Sequence, residues 1–438
     1  MNMILDAIGL IFVPFLVLMF MGVPVGFVFI VIMMGASLLI VGPSGGSMTV
    51  MGTFSSIATF SLAPVPLFVM MGEALLHTGL ATRAMDAVGK LLGKVPARLA
   101  ILSNLGGALF GMLSGSTMAS CAMLGSTLGP EMIKRNYSKK MTYGPILASG
   151  GLAMIIPPSS LAVIYATTAQ ISAGRLLIAG LLPGILMAVN YSLNILLRVK
   201  RNPSLAPDYD PEPVPRGEKL VAFFRDLLPM AALVFLVTGV FVLGVATPTE
   251  AAALGAIGTM IMAFFYKAMN FKTLVKILRG TVIISTMTLF IIGGSTVFSS
   301  LLSYTGFTQF VVTSLTSLNA SPYILLAIMA LIVLVLGMFV ESVPIIMLTV
   351  PIFVPVAAAL GFNQIWFGII MLIIIQMGMT TPPFGMLLFV MKGQAGRDVT
   401  MKDMYATAAP FLLSDTCSVL LVILFPAIVT FLPNLLIK

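Results

Sequence analysis

The chain has 438 residues, 59% of them hydrophobic and 8% charged, with a net charge of +9. Its mean hydropathy is +1.12. A soluble domain carries about 25% charged and about 45–50% apolar residues, so an ordinary water-soluble fold, a disordered chain and a nucleic-acid binder are excluded. The apolar runs are about 20 residues long rather than ~10-residue alternations, which excludes a barrel and leaves an all-α polytopic membrane protein.

Apolar runs open the chain at 4–21, 24–42 and 58–78, with Gly22-Val23-Pro24 between the first two. No Lys or Arg precedes Arg83. The basic start of a secretory leader is therefore missing, and the first run reads as a retained span. Three spans ending at the first basic cluster place the N-terminus outside. That cluster is Arg83, Lys90, Lys94 and Arg98. Four more follow: Lys134 to Lys140, Arg198 to Arg225, Lys267 to Arg279, and Lys392 to Lys402. Only Arg175 and Lys438 lie elsewhere, so 21 of 23 basic residues obey the positive-inside rule if all five clusters face the cytoplasm.

Residues 99–133 then lie between two clusters on the same side. The stretch is too short for two spans of about 20 residues and a turn. Its centre is polar and small, Ser114-Gly115-Ser116-Thr117. It reads as a re-entrant hairpin that enters from the cytoplasm and turns near mid-membrane, where such a tip must be buried in protein or line a cavity. Residues 144–169 cross outward and 176–197 return. The polar stretch 198–226, with five prolines, reads as a cytoplasmic linker between two halves. Spans follow at 227–246, 250–266 and 281–302. The apolar part 323–360, interrupted by Glu341-Ser342-Val343-Pro344, reads as a second hairpin entering from outside. Residues 365–391 and 406–436 close the chain as spans.

Two halves emerge, 1–197 and 227–438, matching in opposite orientation: three spans, a re-entrant hairpin, a broken span and a closing span. That is the inverted-repeat plan of many secondary transporters. Two proline pairs support it. Ile156-Pro157-Pro158-Ser159-Ser160 interrupts the span after the first hairpin, and Thr380-Thr381-Pro382-Pro383-Phe384-Gly385 the span after the second. Proline lacks an amide donor and clashes with the preceding turn, so a pair unwinds a helix and frees carbonyls. Freed carbonyls at membrane depth suit a cation, and the following half-helix N-terminus suits an anion.

At these residues the sequence resembles a known family, the large membrane subunit (dicarboxylate-transporter M type) of tripartite ATP-independent periplasmic (TRAP) transporters. The resemblance covers nearly the whole chain. It is carried by Leu109 to Thr117, Ile155 to Ser159, Ala179 to Gly184, Thr247 to Ala252, Leu336 to Glu341 and Thr381 to Gly385. It implies sodium-coupled import of a small organic anion, commonly a carboxylate, across the bacterial inner membrane. It implies two protein partners, a small four-span membrane subunit and a periplasmic substrate-binding protein, with lipid around the spans. It also implies an elevator, in which a block holding both hairpins and both broken helices slides against a scaffold. Sodium is the coupling ion implied, with no organic cofactor. Three positions depart from the family pattern: Asn136 stands for a usual Gly, Glu341 for a more frequent Asp, and Gln376 near a usual Asn.

The ion-binding candidates are Ser114, Gly115, Ser116, Thr117, Pro157, Glu341, Ser342, Gly378, Thr380 and Thr381. The substrate-binding candidates are Ser116, Pro158, Ser159, Ser160, Thr381 and Pro382. Hydroxyls and carbonyls suit a hard cation; small residues also serve close helix packing. Ser159 and Ser160 fit either an anion or a helix cap. Glu341 interrupts an apolar segment, where an ionisable group costs at least about 2.5 kcal/mol and faces a cavity or partner. Glu73 and Glu250 read as interfacial or scaffold residues, Asp415 as a contact for the small subunit, His77 and Trp366 as interface residues. A self-sufficient carrier or antiporter of the same plan is the alternative function. A serine protease is disfavoured, because a serine nucleophile needs a base and His77 is the one histidine. No His-Glu-x-x-His spacing exists, so no catalytic residue and no metal beyond sodium is assigned.

Overall fold

The computed structural model describes residues 8–207, 214–318 and 320–436. The centre of the expected linker, 208–213, and the start of the first apolar run, 4–7, lie outside the described residues. Among the described residues there is no strand. Eight helices among the described residues are long and apolar enough to cross a membrane.

The first half opens with α1 (Val13–Phe20), entered through a π-helical turn, and continues through α2 (Val25–Ile40), α3 (Ser44–Ile57) and α4 (Pro64–His77). Helix α3 falls in what reads as a gap between apolar runs. Its sequence is Ser-, Thr- and Gly-rich, so it carries too little apolar signal to stand out. It is held by close packing instead: Gly45 lies against the backbone of Ser37, and the Ser37 and Thr49 hydroxyls meet at 2.7 Å. Fourteen residues rise about 21 Å, short of the ~30 Å hydrocarbon core. A short amphipathic helix, α5 (Leu80–Leu91), carries part of the first basic cluster.

Next come α6 (Arg98–Ser114) and α7 (Thr117–Lys134), a helical hairpin turning at Gly115 and Ser116. The first broken span is α8 (Lys139–Gly151), a 3-10 turn at Leu152–Met154, a break over 155–159, and α9 (Ser160–Thr168). The long α10 (Ala173–Arg201) closes the half. Its last turn lies inside the expected linker, and the chain is helical again from α11 (Arg216–Val221) through a π-helical stretch into α12 (Leu228–Val242).

The second half repeats the succession. Helix α13 (Pro248–Phe265) starts with a capping box between Thr247 and Glu250, which gives the Thr-Pro-Thr-Glu motif a structural role. Helix α14 (Phe271–Tyr304) has 34 residues, about 51 Å, so it begins within the fourth basic cluster and outruns the bilayer core. The short α15 (Phe307–Ser317) matches α5: each follows a positive-φ glycine, Gly79 at 70° and Gly306 at 71°. Neither short helix is an apolar run, since α5 carries charges and α15 is rich in Thr and Ser, so hydropathy marks neither as a helix. Helices α16 (Pro322–Phe339) and α17 (Ser342–Ala359) form the second hairpin. Helix α18 (Gln364–Thr380), a break, and α19 (Met386–Gln394) form the second broken span. The expected last span is split into α20 (Met401–Leu424) and α21 (Ala427–Leu436) at Phe425-Pro426.

The helices pack as two sets. Helices α2, α3 and α13 gather on α4 and α14, which lie side by side, and α12 packs on α13. The hairpins, broken helices, α10, α20 and α21 gather on one another. The sets meet where α4 touches α6 and α9, and where α14 and α15 touch α17. A polar seam joins the two halves inside the second set. The Asn194 amide donates to the Pro410 carbonyl at 2.7 Å, Asn190 meets Ser418 at 2.8 Å, and the Tyr191 hydroxyl donates to Asp415. Asp415 is 1% exposed. It faces Tyr191 and not an outside partner, contrary to the expectation from sequence. Trp366 is likewise buried, its indole N–H donating to the Val422 carbonyl at 2.9 Å.

Helices α16 and α18 approach most closely at Gly337 and Gly378, where a Cβ on Gly378 would lie 2.6 Å from the Gly337 Cα. Gly378→Val should therefore force the second hairpin off α18, costing about 1–3 kcal/mol. Thermal unfolding in detergent should show a lower Tm than wild type.

Candidate transport site

The first tip turns because Gly115 adopts φ 59°, a left-handed conformation that glycine takes without a Cβ penalty. Ser116 then caps α7, accepting from the Ala119 amide at 3.3 Å. Ser120 donates to the Ser116 carbonyl at 2.8 Å, and its hydroxyl meets that of Ser114 at 3.0 Å. The tip is hooked to the first broken helix: the Ser160 hydroxyl donates to the Gly115 carbonyl at 3.1 Å. It also rests on α4, where a Cβ on Gly72 would lie 2.5 Å from the Ser114 carbonyl oxygen.

The second tip is tied in the same manner. The Gly385 amide, in the break of α18–α19, donates to the Met338 carbonyl at 2.8 Å. Ser342 sits 2.9 Å from the Met379 sulfur. Glu341 holds the N-cap position of α17 but its side chain does not cap, and among the described residues its carboxylate makes no hydrogen bond or ion pair.

Both tips open on one crevice of about 120 Å3. Ser114, Gly115, Ser116 and Thr117 line it from the first tip, Glu341 and Ser342 from the second, and Ser160 from the first broken helix. The opposite wall is α4, with Gly72 and Glu73, and α14, with Ile284 and Thr288. No Lys or Arg lines it. Thr117 is 4% exposed and its hydroxyl makes no hydrogen bond among the described residues.

Seven of the candidate residues read from sequence thus converge, and seven do not line the crevice. Pro157, Pro158 and Pro382 shape the breaks. Ser159 caps α9 through the Ala162 amide and donates to the Met154 carbonyl at 2.7 Å, so the capping reading holds for it. Thr380 and Thr381 both donate to the Met377 carbonyl, at 3.0 and 2.7 Å. Gly378 packs against Gly337. One wall residue was read differently from sequence: Glu73 faces the crevice and lies 3.2 Å from His77. The Glu-x-x-x-His spacing, one turn on a single helix face, is the signal that pairs the two.

Three helix N-termini reach the crevice, those of α7, α9 and α17, together with the C-terminal ends of α6 and α18. Helix N-termini favour anions and C-terminal carbonyls favour cations. The free Glu341 carboxylate and the tip hydroxyls are oxygen donors of the hardness a sodium ion requires. The same crevice can therefore take a cation and an anion together.

The family model described as "Tripartite ATP-independent periplasmic transporter, DctM component" matches residues 12–428. The chain belongs to this family. It is 31% identical over 404 residues to the C4-dicarboxylate TRAP transporter large permease protein DctM of Pseudomonas aeruginosa, covering 91% of this chain and 92% of that one. It is 28% identical over 420 residues to the sialic acid TRAP transporter large permease protein SiaM of Vibrio cholerae, covering 95% and 96%. The crystal structure of the Alcanivorax borkumensis YdaH transporter shares the fold, with a TM-score of 0.64 at 14% identity over 89% of this chain and 90% of that one. This TRAP large permease is a multi-pass inner-membrane protein of a transporter family, not an enzyme.

Removing the hook should loosen the tip. For Ser160→Ala the expected loss is about 0.5–1.5 kcal/mol, read as faster amide exchange at residues 114–117 with the rest of α6 and α7 unchanged.

Proposed function

We propose that this permease imports a small organic anion, most simply a carboxylate, by sodium symport. It does so with a small four-span membrane subunit and a periplasmic substrate-binding protein. The observation that carries this reading is the meeting of both tips and three helix N-termini on one crevice without a Lys or Arg. An anion there needs cations brought with it, and the hydroxyls of Ser114, Ser116 and Thr117 and the carboxylate of Glu341 supply their oxygen ligands. Relatives named for C4-dicarboxylates and for sialic acid support the anion class.

The energetics suffice. Two sodium ions, each with a tenfold gradient and about 100 mV, supply roughly 7 kcal/mol before substrate charge is counted. The movement is an elevator. The hairpin set slides along the wall of α4 and α14, whose small residues at the contact, Gly72 among them, let the tip pass closely. In this reading the two hairpins are re-entrant from opposite faces, and the halves 1–197 and 227–438 are inverted repeats.

Two experiments test the proposal. Ser114→Ala with Ser116→Ala should abolish sodium-dependent uptake in proteoliposomes while the protein stays folded and assembled; full uptake refutes the tip assignment. Single cysteines at the exposed Gly93 and Ile133 should react with an impermeant maleimide from the cytoplasmic face only. Labelling from opposite faces rules out the first re-entrant hairpin.

A further inference from the structure

The scaffold wall changes chemistry along its length. Helix α4 ends at His77, directly before the first basic cluster, and α14 begins within the fourth. With those clusters inside, Glu73 and Thr288 mark the inner part of the wall. A second cavity of about 700 Å3 lies farther out. It is lined by Ser55 and Ser56 of α3, Thr167 and Thr168 of α9, and Ser295 and Ser299 of α14, and no charged side chain lines it. From Thr288 to Ser295 along α14 is about 10 Å. The outer wall is thus neutral and hydroxyl-rich, whereas the inner wall presents a carboxylate.

We infer that Glu73 is a release element. It repels the anion when the tips face the cytoplasmic part of the wall, and it is out of reach when they face the hydroxyl part. The inference rests on the anion reading above. The carboxylate is fixed in place: its oxygen lies in the notch left by Gly280 on α14, and His77 holds it at 3.2 Å. It belongs to the set of helices that does not carry the tips. The substrate therefore meets this like charge only at one end of its path. A neutral outer wall admits the anion and an acidic inner wall expels it, so the asymmetry favours discharge into the cytoplasm. Glu73 contacts the crevice and acts on the substrate through charge alone.

The test uses the assembled membrane complex in sodium, with succinate and a panel of other small carboxylates as probes. Glu73→Gln should bind the transported carboxylate about tenfold tighter in detergent, the size expected for one screened charge. In proteoliposomes, internal carboxylate should inhibit its uptake at a correspondingly lower concentration. Glu73→Asp should behave as wild type. His77→Arg leaves the Glu73 carboxylate present but offsets its charge with a permanent positive one, and should tighten binding as Glu73→Gln does; it carries the test if Glu73→Gln fails to assemble. Unchanged or weaker binding in these variants, with a wild type that accumulates the carboxylate, overturns the inference alone. A wild type that accumulates no carboxylate of the panel overturns the transport reading and the inference with it.

Discussion

Peptide groups inside a bilayer must find partners within the protein, because no water is there to take them. This constraint governs the whole centre of the permease. Two hairpins and two broken helices bring eight helix ends to the interior, each with unpaired amides or carbonyls. The structure meets the requirement in part by hooking each tip to the broken helix of its own half. Ser160 reaches the Gly115 carbonyl in the first, and the Gly385 amide reaches the Met338 carbonyl in the second. The hooked ends also face the crevice: Gly115 and Ser160 form the first hook and line it as well. In the proposed transport reading, ion and anion binding use the helix ends and hydroxyls gathered there.

The two hooks are built from different parts, a side-chain hydroxyl in one half and a backbone amide in the other. Their equivalence lies in position and not in residue type. The serine hook can be removed by a single substitution, whereas the glycine hook survives any side-chain change that keeps the backbone in place. The halves are therefore alike in architecture and unlike in how they respond to mutation.

Much of this was legible in the sequence. Proline pairs mark both breaks, because nothing else in an apolar span removes donors two at a time, and Ser-Gly-Ser-Thr marks the first tip. Glu341 marks the second, because a lone carboxylate stands out against an apolar run. What escaped has a physical reason. Helix α3 is held by glycine contacts and a Ser37–Thr49 hydroxyl pair, and neither raises hydropathy. Helices α5 and α15 are short. Thr380 and Thr381 do not line the crevice, and their hydroxyls donate to the Met377 carbonyl. Glu73 looked peripheral because chain position says nothing about which helix face meets a cavity.

The seam between α10 and α20 bears on how the protein is made. Asn190, Tyr191 and Asn194 enter the membrane some 200 residues before Ser414, Asp415 and Ser418 exist to receive them. Until α20 is made, three polar side chains on α10 lack their final acceptors in a medium that offers almost none. The first half cannot reach its mature packing alone.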